Sequence, residues 1–284
     1  MPYFDALHTQ LEAISVWQSE TGHLVAKNIH EQMLKERGVA PSAADVIRGS
    51  LDLLRRAEPY YLDGIIETWL IEARQTLPRN IPIGDILPPS PYGWLMFEEP
   101  IRTPAEAWGE YDGGVIGFAW STADEMHWEK PDRAVPIVQL EYYARFKGEL
   151  VLCSCQSWPK AEALIDWDKA TSAAFKPEYH SAMNIIHEMV FGIFAFIRQP
   201  FVTVGYQVMP RQQRRFIERR YQSAVPQIRV VTLRKPMHRE THPCGYRDIN
   251  WAWRWIVRGH WRNQYYQRAG VHRPRWVMAY LKGP

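Results

Sequence analysis

The sequence predicts an α+β fold, on three observations. Apolar residues recur at three- and four-residue spacing through the first part of the chain, the signature of helix. The middle carries apolar runs separated by turn residues, as strands do. The stretch Asn250 to Gln264 then alternates at period two. In it Trp251, Trp253, Trp255, Val257 and Trp261 fall on one face. Arg254, Arg258, His260 and Arg262 fall on the other, with Ile256 among them. Successive strand side chains point to opposite sides, so a tryptophan face would turn inward and a cationic face outward. The run is long for one strand, and Gly259 is the natural place for a bulge or bend. The expected architecture is a helical N-terminal region, a central antiparallel sheet with one apolar helix, and a basic β-rich C-terminus.

Residues 4 to 36 read as helix. Phe4, Leu7, Leu11, Ile14 and Trp17 form a stripe that Leu24, Val25, Ile29, Met33 and Leu34 continue after a break near Thr21-Gly22. Gly38 is a C-terminal stop. Ser42 caps a second helix, with Asp45 three residues on. A third is expected from about Tyr60 to Thr76. Pro78, Pro82, Pro88, Pro89 and Pro91 mark a linker, because proline forbids regular helix and most sheet pairing. Strands follow at Gly93 to Glu98, Gly114 to Ser121, Ile137 to Phe146 and Leu150 to Cys155, the last two joined as a hairpin by Lys147-Gly148-Glu149. Glu178 to Ile197 is the most apolar helix and should pack across the sheet. Arg211 to Tyr221 is a short basic helix or connecting arm. Gln227 to Lys235, residues 250 to 262 and Arg275 to Leu281 are further strands, with Asn263 to Pro274 as a loop. The segments are then 1–77, a helical bundle or cap; 78–91, a Pro-rich linker; 92–208, an α+β core; and 209–284, a basic β-rich region.

Charge divides unevenly. The net formal charge is +3, yet Arg211 to Pro284 holds 15 Arg, two Lys and three acids, or 17 − 3 = +14, leaving −11 on the rest. Such a division points to a polyanion-binding segment, or to a basic part docked on an acidic body. No apolar run is long enough to span a membrane. The first residues lack the basic and apolar regions of a signal peptide. Three cysteines make no disulfide framework, so a cytoplasmic setting is expected.

The candidate site is the cationic strand face: Arg254, Arg258 and Arg262, with Arg268, Arg273 and Arg275 close in sequence and Tyr265 beside them. Guanidinium binds phosphate bidentately and stacks on bases, and aromatics add stacking for single strands. Nucleic acid is the expected partner; an acidic protein partner is the alternative. The same region holds a set for metal-independent phosphodiester cleavage, with His260 and His272 as proton carriers and Arg258 to stabilise charge. Arg262 and Tyr265 would complete that set. His238, His242 and Cys244 have spacing compatible with zinc, but match no recognised finger. Cys153 and Cys155 are expected on one strand face, as structural residues. Walker A, GxGxxG, GxSxG and HExxH motifs are absent, so no cofactor or metal is assigned.

One resemblance goes with these residues. Arg229-Val230-Val231-Thr232-Leu233-Arg234, then Trp255 to Gln264, His272 to Val277 and Tyr280 to Pro284, resemble an uncharacterised group of actinobacterial and phage-associated proteins. Those share a Gly-His-Trp-Arg-x-Gln element ahead of a closing Lys-Gly. The resemblance covers the C-terminal end well and the central strands weakly. It implies a bacterial or phage origin and carries no activity.

Three functions stay open on sequence. One is a nucleic-acid-binding protein, regulatory in a phage or mobile-element context. The second is a metal-independent ribonuclease or toxin-like enzyme. The third is a non-catalytic protein-interaction module.

Overall fold

The computed structural model describes residues 2–38, 40–62, 88–101, 114–122, 137–159, 177–221, 226–233 and 255–282, with Leu70, Ala73, Thr76 and Ile86 between them. Three helices open the chain: α1 (Pro2–Trp17), α2 (Glu20–Arg37) and α3 (Ala43–Arg56). Their ends follow local chemistry. Ser19 caps α2, its Oγ accepting from the Gly22 N–H, so the break falls just ahead of Thr21-Gly22. Gly38 closes α2 in the left-handed region at φ 73°, its N–H donating to Leu34 O at 3.0 Å. Ser42 Oγ accepts from the Asp45 N–H at 3.1 Å and caps α3.

The strands are β1 (Glu58–Leu62), β2 (Tyr92–Ile101), β3 (Val115–Ser121), β4 (Ile137–Phe146), β5 (Glu149–Pro159), β6 (Val202–Gln207) and β7 (Ile228–Leu233). They form one sheet in the order β5-β4-β3-β2-β1-β7-β6. Two further helices are α4 (Pro177–Ile197) and α5 (Arg211–Tyr221). The fold class is α+β. The sheet is mixed, not wholly antiparallel, because β1 runs parallel to both β2 and β7. Tyr60 to Leu62 were expected to begin a helix and are strand instead. A strand buried on both faces has no polar alternation to announce it, and Pro59 to Leu62 are all buried. Leu70 and Ala73 have helical backbone.

The sheet is covered on both faces. On one side Trp17, Ala26, Leu53 and Leu54 from the opening helices meet Trp94, Ala119, Tyr143 and Leu150. On the other, Ile186, Met189, Val190, Ile193 and Phe194 of α4 meet Leu95, Phe97, Phe118, Trp120 and Leu140. Helix α5 sits with α1 over β1 and β7, where Leu7, Leu11, Tyr61, Ile217 and Ile228 are buried together. The segments 1–77, 92–208 and 209–284 therefore all contribute to one layered body: β1 comes from the first, β2 to β6 from the second, β7 from the third. Among the described residues no helix is long and apolar enough to cross a membrane.

Two local features refine the sequence reading. The β4–β5 turn has Lys147 at φ 51° and Gly148 at φ 83°, the pair of positive values that suits a two-residue hairpin. Further along, Tyr142 pairs with Ser154 and Tyr143 with Leu152, leaving Cys153 as an extra residue in a bulge. Cys153 accordingly packs toward the α4 side. Cys155 pairs with Glu141, whose carboxylate meets Ser50 of α3 on the opposite side. The bulge separates two sulfurs expected on one face.

A buried polar cluster joins the helical layer to the sheet. Glu141 is fully buried, and Ser50 Oγ (2.6 Å), Tyr143 OH (2.6 Å) and Gln139 Nε2 (3.1 Å) all donate to it. Trp17 Nε1 donates to Tyr143 OH at 3.1 Å. Burial raises the Glu141 carboxyl above the ordinary carboxylate range, against these hydrogen bonds, which lower it.

Candidate functional site

The C-terminal strands leave the main sheet. β8 (Trp255–Val257) pairs with β11 (Tyr280–Lys282), and β9 (His260–Tyr266) pairs with β10 (Val271–Val277), each antiparallel. The long alternating run is broken at Arg258-Gly259, where the sequence placed a bend. Lack of space holds the glycine there: a Cβ would stand 2.5 Å from Trp276 Cζ2. Most of the expected 263–274 loop is strand. Only residues 267–270 turn, with Gly270 at φ 65° and its N–H donating to Tyr266 O at 2.9 Å. Asn263, Gln264 and Arg273 look like loop residues because that end of the hairpin is exposed on both faces and needs no apolar alternation.

The register sorts the side chains. Residues directly opposite each other share a face. Trp276 faces Trp261, Pro274 faces Asn263, and His272 faces Tyr265. The two tryptophans are buried, with ring centroids 5.3 Å apart, and both meet Phe196 edge-on. Gln199 fastens this face to the end of α4. Its Oε1 accepts from the Trp276 N–H at 3.1 Å and its Nε2 donates to Pro274 O at 3.3 Å.

The other face is cationic. Arg275 lies directly opposite Arg262, Arg273 opposite Gln264, and His260 opposite Val277. Tyr266, 41% exposed, ends the same face. Arg262, Arg273 and Arg275 are all exposed, and among the described residues none has a carboxylate partner. Like charges placed opposite each other on a ladder repel. Arg273 also lies near Arg198 at the end of α4: burial and the Arg273 charge together hold Arg198 below the ordinary arginine range. The sequence did not single out Arg198, since nothing local ties it to the hairpin.

The remaining candidates are placed as follows. Arg258 is exposed in the β8–β9 connection and Arg268 in the hairpin turn. Tyr265 is on the tryptophan face, beyond the buried part, with its ring 4.8 Å from that of His272. His260 Nδ1 lies 3.0 Å from Arg258 O. Arg254, Trp251, Trp253 and the His238, His242 and Cys244 set lie outside the described residues, and among the described residues no group of three or more His, Cys, Asp or Glu gathers as a metal site would require.

This geometry bears on chemistry. His260 and His272 occupy opposite faces and opposite ends of the hairpin, roughly 17 Å apart along β9 at about 3.4 Å per residue. An acid and a base serving one phosphodiester must each reach it within hydrogen-bond distance, and this pair does not come together. The arrangement instead presents a row of guanidinium groups on a rigidly backed strand pair.

No family model matches the chain, and no curated protein matches it. Among solved structures it is similar to AcrVA2, with a TM-score of 0.41 and 15% identity, over 98% of this chain and 95% of that one. At that level no function transfers.

Proposed function

We propose that the chain binds nucleic acid through the outer face of the β9–β10 hairpin. The observation that carries this reading is the cross-strand pair Arg262–Arg275, extended by Arg273, held exposed with no carboxylate among the described residues to neutralise it. Two guanidinium groups kept side by side are relieved by an anion between them, and a phosphate backbone supplies anions in series. Tyr266 at the end of the face offers a ring on which a base can stack. A two-stranded β ribbon also fits a major groove, so both single strands and duplexes are candidate ligands. A regulatory role inside a bacterial or phage-infected cell belongs to the same proposal, on the C-terminal resemblance.

The test is a salt titration of binding to single-stranded RNA, single-stranded DNA and duplex DNA, wild type beside Arg262→Glu/Arg275→Glu. If Arg262, Arg273 and Arg275 each hold one phosphate, the log–log slope is about −2 on single strands and about −3 on duplex. The variant should lose most of it. No binding by the wild type at ~150 mM salt would remove nucleic acid as the ligand and leave an acidic protein surface as the partner for these arginines. RNA shortened by the wild type and left intact by His260→Ala would turn the reading toward an enzyme.

A further inference from the structure

Helix α5 carries a second cationic surface, on the side of the sheet away from the hairpin. Its eleven residues include Arg211, Arg214, Arg215, Arg219 and Arg220 against one acid, Glu218. At 100° per residue the helix divides into rows. Gln213, Ile217 and Tyr221 form the inner row, with Ile217 fully buried against α1. Arg214 and Glu218 form one flank, 3.7 Å apart. The outermost row is Arg211, Arg215 and Arg219, all exposed. No acid interrupts it. Like charges four residues apart destabilise a helix, so the row is costly to the isolated fold.

The other flank holds Gln212, Phe216 and Arg220. Phe216 is 48% exposed although it is apolar. Its ring is braced on one side by Phe4 (5.6 Å) and His8 (6.1 Å). Gln212, Arg215, Phe216, Arg219 and Arg220 together line an open concavity of about 510 Å3. An exposed aromatic ring, backed on one side and flanked along the helix by guanidinium groups, is suited to a stacked base with phosphates on either side. Successive arginines of the outer row rise about 6 Å along the axis, comparable to the spacing of phosphates on an extended strand.

We infer that the outer face of α5 is a second nucleic-acid site, taking an unpaired base on Phe216 and its flanking phosphates on Arg215, Arg219 and Arg220. One chain then holds two strand segments, one on each face of its sheet. This rests on the nucleic-acid reading of the hairpin only for the bridging; the α5 site stands on its own residues. Single strands are preferred to duplex here, because a paired base cannot reach the ring.

The test uses full-length protein, a labelled dT20 oligonucleotide and three variants: Arg215→Glu/Arg219→Glu, Arg262→Glu/Arg275→Glu, and the four together. Each pair should cut the dT20 bound at saturation from about two per chain to about one, the remaining site keeping a salt slope of about −2 at about 0.7 per phosphate, and the four substitutions together should abolish binding. Wild type should also carry a second, differently labelled dT20 onto beads bearing the first, and either pair of substitutions should abolish that bridging. With the hairpin pair also substituted, Phe216→Ala should weaken dT20 about fivefold or more, and in the otherwise wild-type chain it should leave duplex binding unchanged. If the α5 pair binds and bridges like wild type while the hairpin pair fails, the α5 site is wrong and the hairpin reading stands. If the α5 pair fails and the hairpin pair behaves as wild type, the reverse holds. Equal competition by polyglutamate would overturn the nucleic-acid assignment for α5 in favour of an acidic peptide.

Discussion

Gln199 is the fastener of the C-terminal hairpin, and its replacement tests whether the cationic face depends on that backing. The side chain is buried and makes three hydrogen bonds: to Ala195 O at 2.8 Å, to Pro274 O at 3.3 Å, and from the Trp276 N–H at 3.1 Å. Gln199→Met keeps the length and removes the polar atoms. The backbone bonds that turn the chain here, Gln199 N to Phe196 O and Val202 N to Gln199 O, are unaffected. The Trp276 N–H is then buried without an acceptor, which costs about 1–3 kcal/mol. The carbonyl of Pro274 loses only a long bond and adds little. Taking about 2 kcal/mol for local opening, amide exchange over residues 271–277 should accelerate roughly 30-fold, at about 1.4 kcal/mol per factor of ten. Hydrogen exchange followed by mass spectrometry reads this directly, with β3 as internal reference. Polyanion affinity should fall as well, although no charge has changed. Unchanged exchange over 271–277 would refute the fastener. An equal rise in β3 would also refute it, by showing that the residue serves global stability instead.

Two further expectations follow from packing and charge. Gly259→Ala places a methyl 2.5 Å from the Trp276 indole, which is locked against Phe196 and Trp261; overpacking of this kind costs about 1–3 kcal/mol, and the near-ultraviolet circular dichroism of the tryptophan pair should weaken. For Glu141 burial raises the folded carboxyl above its ordinary value of 4.5, so between that value and the raised one the folded chain holds a proton that the unfolded chain has released. Stability is therefore greatest below pH 4.5, as far as this group is concerned, and declines as pH rises through the folded value. Thermal melts of Glu141→Gln across that window should be flatter than those of wild type, and parallel profiles would show that the carboxyl is not the titrating group.

The parts legible in the sequence are those fixed by neighbours along the chain. The stripe of Leu7, Leu11, Ile14 and Trp17, the Ser42 cap, the Gly38 stop and the break at Gly259 each need only a few adjacent residues to be recognised. The parts that were not legible depend on pairing. β1 reads as helix because its buried residues carry no polar alternation, and its partners lie far away in the chain. The face on which His272 and Tyr265 fall is set by the hairpin register, which a four-residue turn decides. The row of arginines was visible as composition. Its division into Arg262, Arg273 and Arg275 on one side, and His272 with Tyr265 on the other, was not.

The placement of β1 has a consequence for how the chain comes into being. Tyr60 lies beside Leu95 on one side and Arg229 on the other. On a ribosome β2 emerges well before β7, which follows only after β3 to β6, so β1 ends a half-built sheet for on the order of ten seconds at roughly 5–20 residues per second. Until Ile228 to Leu233 arrive, its outer rim of amide and carbonyl groups is an open template for any passing strand. The seam between β1 and β7 is thus the last stitch of the seven-stranded sheet, joining two strands separated by the whole of β2 to β6. No contiguous piece that stops short of it can complete the sheet alone.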